Sequence, residues 1–214
     1  STVCGPAGVP FRVDGGKPVN KEQLDELLYQ SLETERGGVK IYETAVRCAQ
    51  NDDLKKEWRK YLDETRNHEV IMLRVLDAFG LDAETETPGR QIVRSKGEAL
   101  VSSMETALGV DPAAAQLVAA ECVVEAESKD HMNWELIGEA AKKLTGDEGK
   151  ALKEAHGEVE EQEDEHLYHT MGWARELWLE SLGLPAVLPP PEEQKHTKSA
   201  IGADRAKQAR TEML

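Results

Sequence analysis

The sequence is poor in the residues that build sheets and membrane spans. Aromatic residues make up only 5% of the 214 residues, and runs of β-branched residues are scarce, whereas alanine, leucine, glutamate and lysine are abundant. This composition favours long helices and argues against an all-β fold. No stretch approaches the roughly 18 uninterrupted apolar residues of a membrane-spanning helix, so no membrane partner is expected.

Cysteine is also scarce. The three cysteines, Cys4, Cys48 and Cys122, form no CxxC pair, and this number and spacing indicate neither a disulfide framework nor a zinc knuckle. The first residues lack the basic and apolar regions of a secretory signal. A reducing, cytoplasmic location is therefore expected.

Basic residues are far fewer than acidic residues. Lys and Arg total 26 against 41 Asp and Glu, which gives a formal net charge of −15. Because nucleic acids and anionic membrane surfaces are bound through clustered Lys and Arg, neither is expected as a partner.

Glycine and proline divide the chain into three regions. Residues 1–19 are rich in both and predict an irregular N-terminal arm. Between 20 and 183, apolar residues at spacings of three and four predict four long helices, at about 21–50, 54–80, 112–144 and 148–182. A short extra helix at about 91–108 lies in the long connection between the second and third. Residues 184–214 predict a proline-rich hinge followed by a charged tail.

Acidic and histidine residues interrupt the apolar stripe of every long helix. Counted outward from the turns near residues 51 and 146, these interruptions lie at similar depths in the predicted bundle. A carboxylate inside an apolar core costs several kcal/mol unless it is paired or bound to a metal. Carboxylates with a few imidazoles in one layer suit iron or manganese, and several carboxylates can bridge two ions. The predicted metal ligands are Glu35, Glu64, His68, Glu127, His131, Glu163 and His166.

These patterns resemble the ferritin-like superfamily over about residues 21–182, and most of all its stress-associated YciF-type branch. Three segments carry the resemblance: YLDETRNHE in the second long helix, RSKGEALV at 94–101 in the crossover, and AAECVVEAESKDHMNWELIGEAAKKL in the third. The resemblance implies an all-α, ferritin-like antiparallel four-helix bundle whose long crossover carries the short extra helix. It also implies a di-iron or iron/manganese site, with ligands from all four long helices, in a homodimer or higher homo-oligomer.

The family pattern maps onto the single glutamates Glu35 and Glu127 and onto the E-x-x-H pair Glu163 and His166. The second helix departs from it, because Thr65 stands three residues before His68 and the nearest glutamate, Glu64, stands four before. In the third helix, Asp130 and His131 are similar to the extra ligand of rubrerythrin-type proteins.

The expected function is a reaction of two iron or manganese ions with dioxygen or hydrogen peroxide in stress protection, of peroxidase, catalase or ferroxidase type. A manganese-catalase-like activity fits the same ligands. One alternative is a non-catalytic helical stress or assembly protein whose polar layer is a structural network. Another is an oxygenase acting on an organic substrate. Tyr42 and Tyr61 lie on the same stripes, where packing is expected ahead of hydrogen bonding to a ligand.

Overall fold

The computed structural model describes residues 18–192, and within this range the chain forms five helices and no strand. They are α1 (Lys21–Cys48), α2 (Asp52–Ala78), α3 (Pro88–Val110), α4 (Ala115–Ala141) and α5 (Gly146–Ser181). The predicted all-α fold is confirmed for these residues. The predicted N-terminal arm, apart from residues 18 and 19, and the tail beyond residue 192 lie outside the described residues. Across the described helices, no segment is apolar for long enough to cross a lipid bilayer.

Local capping signals set the helix ends. The Asn20 side chain accepts a hydrogen bond from the backbone N–H of Gln23, and Asn51 does the same for the first turn of α2. Gly80 and Gly183 follow α2 and α5 with φ angles of 66° and 68°, a left-handed conformation that favours glycine.

The four long helices run antiparallel to their neighbours. Only residues 49–51 separate α1 from α2, and residues 142–145 separate α4 from α5, so each pair forms a hairpin. Two hydrogen bonds show that α1 and α4 run in opposite directions: Trp134 to Glu35 at mid-bundle, and Gln50 to Gln116 near one end. Bonds between α2 and α5 show the same antiparallel sense.

The crossover helix lies alongside α1. Because α2 ends at one end of the bundle and α4 begins at the other, residues 79–114 must span its length. Ion pairs of Arg94 with Glu33 and of Arg47 with Glu105 show that α3 runs parallel to α1.

α3 is longer than the predicted helix at 91–108. It begins at Pro88, because the Thr87 side chain accepts a hydrogen bond from the backbone N–H of Arg90 and caps the helix. Proline suits the first helical turn, where its missing N–H costs nothing.

The core has two apolar clusters, one toward each end of the bundle. One contains Leu54, Trp58 and Trp173, and the other contains Leu28, Leu76 and Leu152. A layer of acidic and histidine side chains lies between the two clusters.

Candidate metal centre

Six polar side chains from α1, α2, α4 and α5 meet in the middle layer, each of them at most 5% exposed. Five had been predicted as ligands from the sequence; the sixth, Asp130, had been noted beside them. They are Glu35, His68, Glu127, Asp130, Glu163 and His166. The structure therefore brings carboxylates and imidazoles from all four long helices to one level.

Glu163 is the centre of this cluster. Its Oε1 lies 3.1 Å from Nδ1 of His68 and 3.6 Å from Nδ1 of His166. Ligand-capable atoms of Glu163 and the two histidines all lie within 4.8 Å of one another, and so do atoms of Glu163, Glu35 and Asp130. Nδ1 of His166 also lies 3.5 Å from Oε1 of Glu127. The arrangement offers two adjoining groups of ligands that share one carboxylate.

Seven atoms of the cluster are buried without a hydrogen-bond partner among the described residues. They are Oε2 of Glu35, Nδ1 of His68, Oε2 of Glu127, Oδ1 of Asp130, both carboxylate oxygens of Glu163 and Nδ1 of His166. Some lie close enough for ion pairs, but without the alignment of a hydrogen bond. Because buried polar atoms are nearly always partnered, this concentration of unpartnered atoms marks a place that could hold a cation.

Both histidines are held so that Nδ1 faces the cluster. Nε2–H of His68 donates to the Gln162 side-chain oxygen at 2.7 Å, and Nε2–H of His166 donates to Glu64 at 2.8 Å. Each acceptor holds a proton on Nε2, so that Nδ1 directs a lone pair inward once its own proton has been displaced. This is the tautomer that a metal-binding imidazole requires.

Two of the carboxylates are oriented in the same way. Trp134 Nε1–H donates to Oε1 of Glu35 at 2.8 Å, and the Tyr42 hydroxyl donates to Oε1 of Glu127. In both glutamates the other oxygen, Oε2, is left unpartnered in the cluster. Tyr42 therefore hydrogen-bonds a cluster residue, whereas packing had been expected.

Crowding of carboxylates dominates the electrostatics. Burial raises the pKa of Glu163 and of Asp130 well above their usual values, and repulsion from neighbouring carboxylates raises both pKa values further. Burial opposes protonation of His68, yet the adjacent Glu35 raises its pKa to about 9. Without a cation, this layer holds protons that a metal ion would displace.

Glu64 and His131, both predicted as ligands, lie outside the converging set. Glu64 accepts the Nε2–H of His166 and lies 3.5 Å from the Lys60 ammonium, so it orients an imidazole. His131 Nε2 lies 2.7 Å from the Asp164 carboxylate. It follows Asp130 directly in sequence, and one residue rotates a side chain by about 100° around a helix, away from the cluster.

Thr65 occupies the position where the second helix of the family pattern would place a carboxylate. A methyl added to Gly38 of α1 would lie 3.1 Å from the Thr65 methyl group, so the two helices approach closely there. Asp130, one helical turn after Glu127 on α4, supplies a carboxylate to the cluster. That spacing of three was visible in the sequence and could have identified Asp130 as a member.

A second buried polar network adjoins the cluster. The Tyr61 hydroxyl donates to Glu57, which also accepts from Trp173 Nε1 at 2.8 Å, and His169 Nδ1 lies 2.8 Å from both the hydroxyl and Glu57. The Tyr61 ring lies 4.3 Å from the His166 ring between centroids. The network therefore packs an aromatic ring against one of the inward-facing imidazoles.

Comparison with family models, with curated proteins and with solved structures gives no match to this chain. What the fold and the site define is a class: an all-helical bundle with buried carboxylate and histidine groups that could hold a metal ion. Membership of the ferritin-like superfamily, and the homodimer or higher homo-oligomer that it implies, stay predictions.

Proposed function

We propose that this protein is a ferritin-like dinuclear metal protein that binds two iron or manganese ions and reacts with dioxygen or hydrogen peroxide in stress protection. The observation that carries the proposal is the set of seven buried, unpartnered ligand atoms contributed by four helices. Two antiparallel hairpins joined by a full-length crossover are also the connectivity of ferritin-like bundles.

The donor set fits such ions. Four carboxylates and two imidazoles, with no thiolate among them, are ligands that suit iron and manganese. A purely structural network, the main alternative, would be stabilising only if its members satisfied one another. Here the atoms that face the cluster are the unpartnered ones, whereas the outward atoms of His68, His166, Glu35 and Glu127 are hydrogen-bonded.

The residues divide into two overlapping sets. His68 Nδ1 also lies 3.6 Å from Oε2 of Glu35, so Glu35, His68 and Asp130 would hold one ion. His166 Nδ1 lies 3.5 Å from Oε1 of Glu127, and these two residues would hold the other. Glu163, which belongs to both groups of neighbouring atoms, would be shared. When bound, two redox-active ions supply the electrons that reduce dioxygen or peroxide.

The remaining contribution of the chain is orientation and exclusion of water. Gln162 and Glu64 hold the imidazoles, while Trp134 and Tyr42 hold carboxylates, so the ligand atoms are preorganised. The apolar clusters on both sides limit the approach of water along the bundle. In such a preorganised site the ligand atoms do not need to reorient when a small oxidant binds.

Metal content tests the proposal directly. Protein purified without chelators, or loaded anaerobically with Fe(II) or Mn(II), is expected to retain about two ions per chain by elemental analysis and to consume peroxide. Glu127→Gln keeps the shape of the side chain but removes a charged ligand, and is expected to lower the retained metal to one ion or none.

Glu57→Gln is the matched control. Glu57 is 7% exposed, but its carboxylate accepts hydrogen bonds from Tyr61 and Trp173 and does not face the cluster. This variant is expected to keep the full metal content. Full metal content in Glu127→Gln would refute the ligand assignment, and no metal in the unmodified protein after loading would favour the structural alternative.

A further inference from the structure

A pocket of about 250 Å³ between α4 and α5 leads from the surface to the cluster. The side chains of Glu135 and Glu160 at its rim are 68% and 61% exposed. Trp134 and Glu163, which also line it, are each 1% exposed. The pocket therefore has an open rim and a floor formed by residues of the buried layer.

Two histidines, a fourth carboxylate and Tyr168 complete the walls. His131 Nε2 lies 2.7 Å from Asp164, and His131 Nδ1 lies 3.8 Å from Glu135. On the other side, His156 Nδ1 lies 3.6 Å from Glu160. Each imidazole is thus paired with at least one carboxylate that reaches solvent.

The position of the His156 ring depends on the absence of a side chain at Gly138. A Cβ atom at position 138 would lie only 2.5 Å from His156 Nε2, so the imidazole packs directly on the backbone of α4. Glycine in the interior of a helix costs about 1 kcal/mol relative to alanine. At position 138 this cost is offset by the space that the absent side chain leaves for the His156 imidazole.

The charge of the pocket has one sign. Its lining includes four carboxylates, those of Glu135, Glu160, Glu163 and Asp164, and none of its described lining residues is Lys or Arg. A cleft of uniform charge between low-dielectric walls concentrates counter-ions and raises their association rate by a factor of 10 to 10³ in order of magnitude. This pocket would concentrate cations.

The floor joins the pocket to the centre. Glu163 lines the pocket, and both of its carboxylate oxygens are buried and unpartnered. Trp134, beside it, donates its indole N–H to Glu35. The floor of the pocket is therefore formed by two residues of the buried layer, one of which contributes its carboxylate to the cluster.

We propose that this pocket is the path by which divalent transition-metal ions reach the buried cluster, with His131 and Asp164 as a transient binding site on the way. The proposal rests on the proposed function, since it concerns the ions of that centre. Imidazole with carboxylate suits Fe(II) and Mn(II). Asp164 is half-exposed and the site has few donor atoms, so a cation would bind there weakly and could pass on to the buried cluster.

The test measures the rate of loading separately from its extent. Metal-free protein is mixed with Co(II), whose visible absorption reports binding, in a stopped-flow instrument. The triple variant Glu135→Gln/Glu160→Gln/Asp164→Asn is expected to bind the same amount of Co(II) about tenfold more slowly, with a weaker dependence on salt. His131→Asn, which changes no carboxylate, is expected to slow loading severalfold.

The control variant removes three carboxylates elsewhere. Glu43, Glu98 and Glu105 are exposed on α1 and α3, so Glu43→Gln/Glu98→Gln/Glu105→Gln alters the net charge equally but is expected to load at the unmodified rate. Equal rates in the unmodified protein and the pocket variant would overturn the proposal, as would equal slowing in both triple variants or a reduced final amount in the pocket variant. No Co(II) binding by the unmodified protein would instead refute the proposed function itself.

Discussion

Replacing Glu163 by glutamine is expected to stabilise the metal-free protein and to weaken metal binding. Burial and the charges of Glu127 and Glu35 raise the pKa of Glu163 above its ordinary value of 4.5. A carboxyl group whose pKa is higher in the folded state than in the unfolded chain destabilises the fold at any pH above the unfolded-state pKa. At a pH below the unfolded-state pKa the group is protonated in both states, and the penalty disappears. Glutamine has a similar shape and does not ionise, so it removes the penalty.

The size of the effect follows from the pH interval. Each pH unit between 4.5 and 7 adds at most about 1.4 kcal/mol, so the penalty at pH 7 is at most about 3.5 kcal/mol. For a chain of this length, 1 kcal/mol shifts the melting temperature by about 2–4 °C. Glu163→Gln in chelator is therefore expected to melt up to about 14 °C higher at pH 7, and the difference is expected to vanish near pH 4.5.

Thermal unfolding followed by circular dichroism, with and without metal, provides the measurement. Ions that bind only the folded state stabilise the unmodified protein by about 2.7 kcal/mol for each site at a free concentration 100 times the dissociation constant. The variant should lose most of that gain, so the order of the two melting temperatures should reverse. A metal-free variant that is no more stable at pH 7, or equally stabilised at pH 4.5, would refute the electrostatic reasoning.

Four further substitutions, in two pairs, test the scaffold by the same melting assay. Arg90→Met is expected to lower the melting temperature by about 6–20 °C, because Arg90 is 1% exposed and pairs with buried Glu33, and breaking a buried pair costs about 3–5 kcal/mol. Arg94→Met, at a half-exposed partner of Glu33, should cost much less, and equal losses would contradict this account. Gly149→Ala should destabilise, because its Cβ would lie 2.5 Å from a backbone oxygen of the preceding turn. Gly157→Ala, with open space around it, should stabilise by about 0.5–1 kcal/mol; a loss there or a gain at Gly149 would be the contrary result.

The helices were predictable because their signals are local. Asn20, Asn51, Gly80 and Gly183 act within one turn, and the apolar spacing repeats along each helix. The length of α3 was underestimated because its capping residue, Thr87, is followed directly by Pro88 and Gly89, which are typical of loops as well as of helix starts. The way α3 lies on α1 depends on ion pairs between distant parts of the chain, which local patterns do not reveal.

The sequence predicts the height of the site residues along the bundle, but it predicts less well the direction in which each side chain points around its helix. The number of residues from a turn sets the height of a side chain, which placed Glu35, His68 and Glu163 at a common depth. Direction around the helix changes by about 100° per residue, so a small error in the assumed face separates a cluster residue from its neighbour. Asp130 and His131 are adjacent in sequence, yet only Asp130 lies among the inward-facing residues.

The cluster links stability to metal binding through a balance of charge. Glu35, Glu127, Asp130 and Glu163 carry four negative charges when ionised, which two divalent cations would neutralise while both imidazoles stay uncharged. Without cations the same charges repel one another, which contributes to the raised pKa values of Asp130 and Glu163. The crowding that destabilises the metal-free bundle is therefore what would hold the ions. Neutralising Glu163 or Asp130, the two carboxylates whose pKa is raised, must then move stability and metal affinity in opposite directions.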